Sequence, residues 1–389
     1  MFLKLKNSVH LVHGDNGYLL LDLKSNRLFN VEEHESKIFK EILSGCSFDE
    51  IIRRGVNEAK FVETLLKNDI VTLVDQIYYE ESWRKGQLVV NNIRSVLSLD
   101  TLVIQFPLEC GKGCKYCGNN LLFGCFLCEN HINMFDPEKY VRLVIELKKY
   151  YTIRNLIITG GDIFKHYELV SPVLSIIPTL KNVNFSIFNS LDNISPPIIK
   201  ELKNGRMNLI ALLDCTNGKL EQSFDLYKEI ALSLQPISSS MKFCLVTDNF
   251  TIKDIQYGAL GVSADQVQYS YVVDTVEDLR TNDFYKRGMK ITVAQQLFLR
   301  KKLHPCLVGM LAIDKDFNVL PCLKMKKCVL SKINLTNVNI FENRDVIEKY
   351  WMLPVKKSTI CSGCKYNVIC MDCRATEEKF AQEEKVCVR

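Results

Sequence analysis

The stretch that most limits what this chain can be is residues 101–128, TLVIQFPLECGKGCKYCGNNLLFGCFLC, where an apolar strand-like run ends at Cys110, Cys114 and Cys117. Three thiolates at this x3, x2 spacing can each take one iron of a four-iron, four-sulfur cluster and leave the fourth iron open to a small molecule. Zinc uses the same ligands, so the residues alone leave a zinc site or a group of reduced thiols open. Tyr116 directly precedes the third cysteine.

With 389 residues, 47% of them apolar, the chain has the volume for two or three globular domains. Its 16 cysteines are concentrated after residue 109 and fall at short spacings. That pattern argues for metal ligation in a reducing compartment rather than for a secreted disulfide framework. A net charge of +5 is small for the length and gives little support to a nucleic-acid partner. The amino terminus, MFLKLKNSVHLVHGDNG, has no sustained apolar segment, and no stretch approaches the roughly 18 apolar residues of a membrane helix. The expectation is a cytoplasmic protein without nucleic-acid or membrane partners.

Residues 1–80 read as a small α+β domain. Strand-like runs at Val9 to Val12, Tyr18 to Leu23 and Arg27 to Val31 are separated by turn residues. A helical spacing over Glu32 to Leu43 then ends at Gly45, and Ser47 with Glu50 has the form of a capping box. A third helix is expected over Asn57 to Asn68, after which Ile70 to Leu73 leaves the domain. The residues are equally compatible with a winged-helix-like structural or DNA-binding domain, but Glu58, Lys60, Glu63 and Lys67 on the last helix are mixed in sign. Residues 81–100 form a linker.

Across residues 101–300 strand and helix alternate. Strands are expected at Leu102 to Phe106, Asn155 to Thr159, Val183 to Phe188, Asn208 to Leu213, Lys242 to Val246 and Gln266 to Tyr271. Helices are expected at Pro137 to Lys149, Leu169 to Leu180, Pro197 to Lys203 and Leu220 to Leu234. Such alternation implies parallel strands and right-handed crossovers, in a partial (β/α)6 barrel or a doubly wound sheet. Three features follow strands: Gly160, Gly161 and Asp162 after the second, Asn189 and Ser190 after the third, and Asp214 after the fourth. Paired glycines let backbone approach a ligand, and the carboxylate beside them can pair with an ammonium group. Cys125, Cys128 and His131 have a metal-like CxxCxxH spacing, or belong to an inserted loop without a metal. Cys215 and Cys244 are further candidate thiols.

Residues 301–389 hold eight more cysteines: Cys306, Cys322 and Cys328, then Cys361, Cys364, Cys370 and Cys373 in CSGCKYNVICMDC, and Cys387. Two zinc ribbons are one reading, although the five residues between Cys364 and Cys370 are few for ribbon knuckles.

The CxxxCxΦC loop after a strand resembles the cluster loop of radical S-adenosylmethionine (radical SAM) enzymes. By that resemblance Cys110, Cys114 and Cys117 hold the SAM-binding 4Fe-4S cluster with Tyr116 beside it, and the fold is a partial barrel. The Gly160, Gly161, Asp162 turn is similar to the family's GGE motif for the SAM amino group, with aspartate one methylene shorter. Asn189 stands where relatives contact the ribose or carboxylate of SAM. The tail resembles the SPASM extension with two auxiliary 4Fe-4S clusters, which implies Cys361, Cys364, Cys370 and Cys387 for the outer one. Cys306, Cys322 and Cys373 are implied for the inner one, with Cys328 as a possible fourth ligand. The spacing departs from the family in having x2 before Cys373, and Asn318 stands where a glycine is usual.

The first domain resembles the leader-recognition element of ribosomal peptide maturases. There an edge strand, here Arg27 to Val31, takes the leader of a precursor peptide as an added strand. The whole order implies a radical SAM peptide maturase served by an electron donor such as flavodoxin or ferredoxin. A thioether cross-link is the expected product. Carbon–carbon cross-linking, epimerisation and anaerobic sulfatase-type maturation share the same parts, and a degenerate peptide-binding or zinc scaffold protein is the non-enzymatic alternative.

Overall fold

The computed structural model describes residues 1–76, 98–117, 121–122, 129, 131, 134–177, 183–203, 207–216, 241–247, 266–272, 303–352, 365, 373 and 375, apart from 7, 16, 26, 115, 305 and 337. The chain divides into two compact units. One comprises Met1–Val96, Tyr285–Pro305 and Leu353–Asp372, and the other Leu97–Phe284, Cys306–Met352 and Cys373–Arg389.

In the first unit, β1 (Phe2–Leu5) precedes an antiparallel meander of β2 (Val9–Gly14), β3 (Gly17–Asp22) and β4 (Arg27–Val31). Helices α1 (Glu33–Ser44), α2 (Phe48–Ile52) and α3 (Val56–Lys67) follow. The capping box is present at α2: Glu50 N–H donates to Ser47 Oγ at 3.3 Å, and Ser47 N–H donates to Glu50 Oε2 at 3.1 Å. Tyr18 and Leu20 from β3 pack with Phe39, Ile51, Val62 and Leu65 from the three helices. All six residues of β3 are buried, so this middle strand is covered on both faces. Two strands, β1 and one after α3, are additional to the sequence reading. Ile70 to Leu73 does not simply leave the domain, because β5 (Val71–Val74) turns back to pair antiparallel with β1, Phe2 opposite Val74.

The second unit is built on a ten-stranded sheet. Its elements are β6 (Ser98–Gln105), β7 (Leu121–Leu122), α4 (Pro137–Tyr150), β8 (Thr152–Thr159), α5 (Tyr167–Ile176), β9 (Asn184–Ser190), α6 (Pro196–Lys203) and β10 (Asn208–Asp214). They continue with β11 (Met241–Thr247), β12 (Val267–Val272), β13 (Met310–Ile313), β14 (Asn318–Leu320), β15 (Ser331–Lys332) and α7 (Arg344–Trp351). All six expected strands form, and β6, β8, β9, β10, β11 and β12 lie side by side in chain order, parallel throughout. A doubly wound sheet reverses its order at a switch point. These six strands, β6 and β8 to β12, do not, so they are wound one way, as in a barrel. The helix expected at Leu220 to Leu234 lies outside the described residues.

The strands are apolar on both sides because both faces are shielded from water; five consecutive residues of β10, Leu209 to Leu213, are buried. At α4 the Asp136 carboxylate accepts from the N–H groups of Glu138 and Lys139, and Pro137 occupies the first turn. That helix buries Tyr140, Leu143, Val144 and Leu147, with the Tyr140 hydroxyl donating to Gln105 O at 3.2 Å.

Residues 310–332 extend the same sheet. Strand β13 lies parallel beside β6, Met310 opposite Thr101, and β14 and β15 follow antiparallel. The Gly309 carbonyl accepts the N–H groups of Asp100 and Thr101, and Trp351 Nε1 donates to Met310 O at 3.1 Å. No helix among the described residues is long and apolar enough to cross a membrane.

Phe39 is fully buried at the centre of the first unit. Phe39→Ala is expected to destabilise that unit by about 3–5 kcal/mol. The measurement is amide exchange in the intact chain, with protection lost in α1 to α3 and retained in β6 to β11.

Candidate functional site

The cysteines follow directly from β6, and their position is set by the neighbouring strand. Phe106 N–H donates to Thr159 O at 2.7 Å as the chain leaves the sheet. Beyond β8, Gly160 and Gly161 have φ of 112° and 56° and press against the same segment. A Cβ at Gly160 would lie 2.1 Å from Phe106 O, and one at Gly161 would lie 2.2 Å from Leu108 O. The paired glycines thus accommodate the chain's own cysteine loop. Asp162 N–H then donates to Glu109 O at 3.2 Å, one residue before Cys110.

Gly111 and Gly113, both at positive φ, reverse the loop between Cys110 and Cys114. Cys117 N–H donates to Cys114 O at 2.9 Å and closes its last turn. Cys110, Cys114, Cys117 and Tyr116 line a cleft together with Gly161, Ser190 and Leu212. The walls therefore come from the ends of β6, β8 and β9 and from β10. Cys110 and Cys114 are half-buried and Cys117 is exposed. Burial pushes the Cys114 thiol up, and the Asp214 carboxylate adds to this. Such a thiol stays protonated until a metal displaces its proton.

Among the described residues, no three Cys, His, Asp or Glu side chains converge to hold a single metal ion. A four-iron cluster asks for a different arrangement, one thiolate per iron from thiols spread around one cavity. Cys110, Cys114 and Cys117 fit that requirement.

Asp162 is buried beneath this cleft and is not among its walls. Its Oδ1 accepts from Lys165 N–H at 3.1 Å and from Asn189 Nδ2 at 3.0 Å, while Oδ2 accepts from Asn193 Nδ2 at 2.6 Å. Asn189 is buried as well, its Oδ1 accepting Ile163 N–H at 3.0 Å. The two side chains singled out for the cofactor therefore bind each other and join the turns after β8 and β9. Gly161 and Ser190 are the members of these motifs that face the cleft. Asn193 was missed, because nothing in its spacing from Asp162 announces the contact. Lys112 pairs with Asp192, which ties the cysteine loop to the same β9 turn. Asp214 accepts from Thr216 N and Oγ1 at 3.0 and 2.6 Å and closes the turn after β10.

Of the CxxCxxH residues, Cys125 and Cys128 lie outside the described residues. His131 is near Glu129, with 3.5 Å between Nε2 and Oε2, but without hydrogen-bond geometry. Burial pushes the His131 pKa down more than Glu129 raises it, so the imidazole is neutral at pH 7 and the contact is polar rather than ionic. Glu129 itself is buried and pairs with Lys326.

In the tail, Cys322 and Cys373 are buried close enough for their charges to interact; burial first, then Cys373, pushes the Cys322 thiol up to about 12. The backbone N–H groups of Lys324 and Met325 act in the opposite sense. Cys306 and Cys328 are half-buried. Cys361, Cys364, Cys370 and Cys387 lie outside the described residues. Cys215 and Cys244 are buried, their thiols pushed up by burial to about 12 and about 11. In the first unit, β4 has a strand partner on one side among the described residues.

No family model and no curated protein matches the chain. Solved structures do. Native anSMEcpe with bound AdoMet and Cp18Cys peptide has a TM-score of 0.52 and 14% identity over 75% of this chain and 93% of its own. The same protein with bound AdoMet and Kp18Cys peptide has a TM-score of 0.50 and 14% identity, over 71% and 90%. A looser likeness, TM-score 0.43 and 12% identity over 97% of both chains, is to Streptococcus suis SuiB bound to S-adenosylmethionine. At such identities the likeness to anSMEcpe establishes a shared fold and nothing beyond it.

Gly160→Ala sets a methyl against the Phe106 carbonyl and leaves a non-glycine residue at φ 112°. It is expected to destabilise the second unit by at least about 1–3 kcal/mol and displace the cysteine loop. Denaturant unfolding checks the first effect, and alkylation rates of Cys110, Cys114 and Cys117 check the second.

Proposed function

We propose that this chain is a radical SAM enzyme that modifies a ribosomally made precursor peptide, with Cys110, Cys114 and Cys117 holding the SAM-binding cluster. The observation that carries the reading is the single cleft in which the three thiols meet Gly161, Ser190 and Leu212. It lies at the carboxyl ends of parallel strands, where barrels collect their ligands. The shared fold with anSMEcpe, solved with AdoMet and a peptide bound, supports it. When bound, a 4Fe-4S cluster and SAM would supply the 5'-deoxyadenosyl radical that takes a hydrogen atom from the substrate.

The chain's own residues hold and orient. Three thiolates would each fix one iron and leave the fourth iron for SAM. The Gly161 backbone and Ser190 would border the methionyl end, while buried Asp162 and Asn189 keep those two turns in register from below. Leu212 and the buried ring of Tyr116 would exclude water from the reacting end. Cys306, Cys322 and Cys373, with Cys328 as a possible fourth donor, are proposed for an inner auxiliary 4Fe-4S cluster. Cys361, Cys364, Cys370 and Cys387 are proposed for an outer one. The convergence of Cys322 and Cys373 supports the inner set.

The substrate is proposed to arrive through its leader, added as a strand along β4 at Arg27 to Val31. With β3 covered on both faces, an edge is the open route into this sheet. The product proposed is a thioether between a cysteine sulfur and a neighbouring residue's carbon. A flavodoxin- or ferredoxin-type donor is proposed to supply the electron, and the cytoplasm is the proposed site of action.

Anaerobic reconstitution, iron and sulfide analysis, and detection of 5'-deoxyadenosine after reduction with SAM test the central reading. Wild type is expected to form it, and Cys114→Ala to fall to background. A colourless protein that takes up zinc and no iron would overturn the reading. For the leader, proline at Leu28, Phe29 and Asn30 in turn removes N–H groups that alternate between the β3 side and the open side. Loss of an open-side N–H is expected to weaken precursor binding about tenfold or more with the unit still folded; equal affinity for every folded variant counts against β4.

A further inference from the structure

The segment after Cys128 has no part in the reading above, yet Glu129 joins three pieces of the second unit. Its backbone carbonyl accepts the Gly161 N–H at 3.0 Å, directly behind the cleft wall. Two residues on, His131 N–H donates to Leu108 O at 3.2 Å, the same carbonyl that fills the space beside Gly161. Its carboxylate is 7% exposed and pairs with Lys326, which is 197 residues away in the chain and lies between Cys322 and Cys328. With His131 neutral, Lys326 is the cation that compensates this buried charge.

The asymmetry of the pair matters. Lys326 is 44% exposed and would be hydrated without Glu129, whereas the buried Glu129 side chain would lose its charged partner without Lys326. The Lys326 loop therefore determines where the Glu129 backbone rests, and that backbone holds Gly161.

We propose that Glu129 is a positioning residue coupling the cysteine loop at 322–328 to the SAM cleft through the Lys326 ion pair. The proposal rests on the SAM-binding reading of that cleft. Its consequence is reciprocal: an ordered 322–328 loop favours SAM binding, and SAM binding favours the ordered loop.

Anaerobic calorimetric titration of reconstituted full-length protein with SAM tests it, using Glu129→Gln, Lys326→Met, Lys326→Arg and the Gln/Met double variant. Glutamine and methionine are each expected to raise the SAM Kd about tenfold, and methionine, which leaves the buried carboxylate unpaired, is expected to lower the melting temperature more than glutamine does. The double variant is expected to bind no worse than either single one, as for one shared interaction. Arginine keeps the charge and is expected to bind within about twofold of wild type. Low-temperature electron paramagnetic resonance of the reduced protein is expected to show altered auxiliary-site signals in Lys326→Met and wild-type signals in Lys326→Arg.

An unchanged Kd in both charge-removing variants overturns the proposal. So does an arginine variant as weak as methionine, or additive loss in the double variant. If methionine prevents folding, the glutamine and arginine variants decide. Wild type that gains iron but binds no SAM overturns the SAM-binding reading as well. Wild-type binding with indifferent variants overturns this proposal alone.

Discussion

Everything at the candidate site depends on main chain lying directly against main chain. Strands β6 and β8 are paired up to Gln105 and Thr159, and normally the two chains would part there. Gly160 and Gly161 keep them together for several more residues, at separations that leave no room for a Cβ. The root of the cysteine loop is thereby fixed by backbone rather than by side-chain packing. Side chains relax around a substitution more readily than two backbones do, so the thiols inherit the accuracy of the sheet.

The same economy of structure explains how a carboxylate can be buried under the cleft. Asp162 has three N–H donors around it, two from asparagine side chains and one from backbone, so its burial leaves no unmet acceptor. The turns after β8 and β9 are then locked to each other, while Lys112 and Asp192 lock the cysteine loop to the second of them. A ligand entering the cleft would meet walls that are already in place, and less of its binding free energy would go into ordering them.

What could be read from the sequence follows from the range of each interaction. The six parallel strands were legible because strands buried on both faces are nearly continuous apolar runs; their order was not, and it decides between a barrel and a doubly wound sheet. The capping box at Ser47 and Glu50 was legible because it spans three residues. Pairing of β1 with β5 and of β13 with β6 was not, since each joins segments far apart in the chain. The Gly160, Gly161, Asp162 motif marked a turn that lies against the cysteine loop. A linear motif does not say which way a carboxylate turns, however, and the contacts of Asp162 with Asn189 and Asn193 are tertiary.

The buried thiols can be sorted by the same physical reasoning. Burial raises Cys215, Cys244 and Cys322 alike, so depth alone does not distinguish a ligand from a packed side chain. Their partners do. The Cys215 thiol donates to the Leu213 carbonyl, an interaction that requires its proton. Cys244 shares a single hydrogen bond with Ser270 Oγ in the sheet interior. At Cys322 the neighbouring Cys373 raises the thiol, as Cys244 does at Cys215, but the backbone N–H groups of Lys324 and Met325 act in the opposite sense. N–H donors favour the anion, and two neighbouring thiols repel one another once both ionise unless a cation lies between them. Of these three buried thiols, Cys215 is the one that uses its proton in a bond to a carbonyl, and Cys322 is the one with backbone donors that favour its anion.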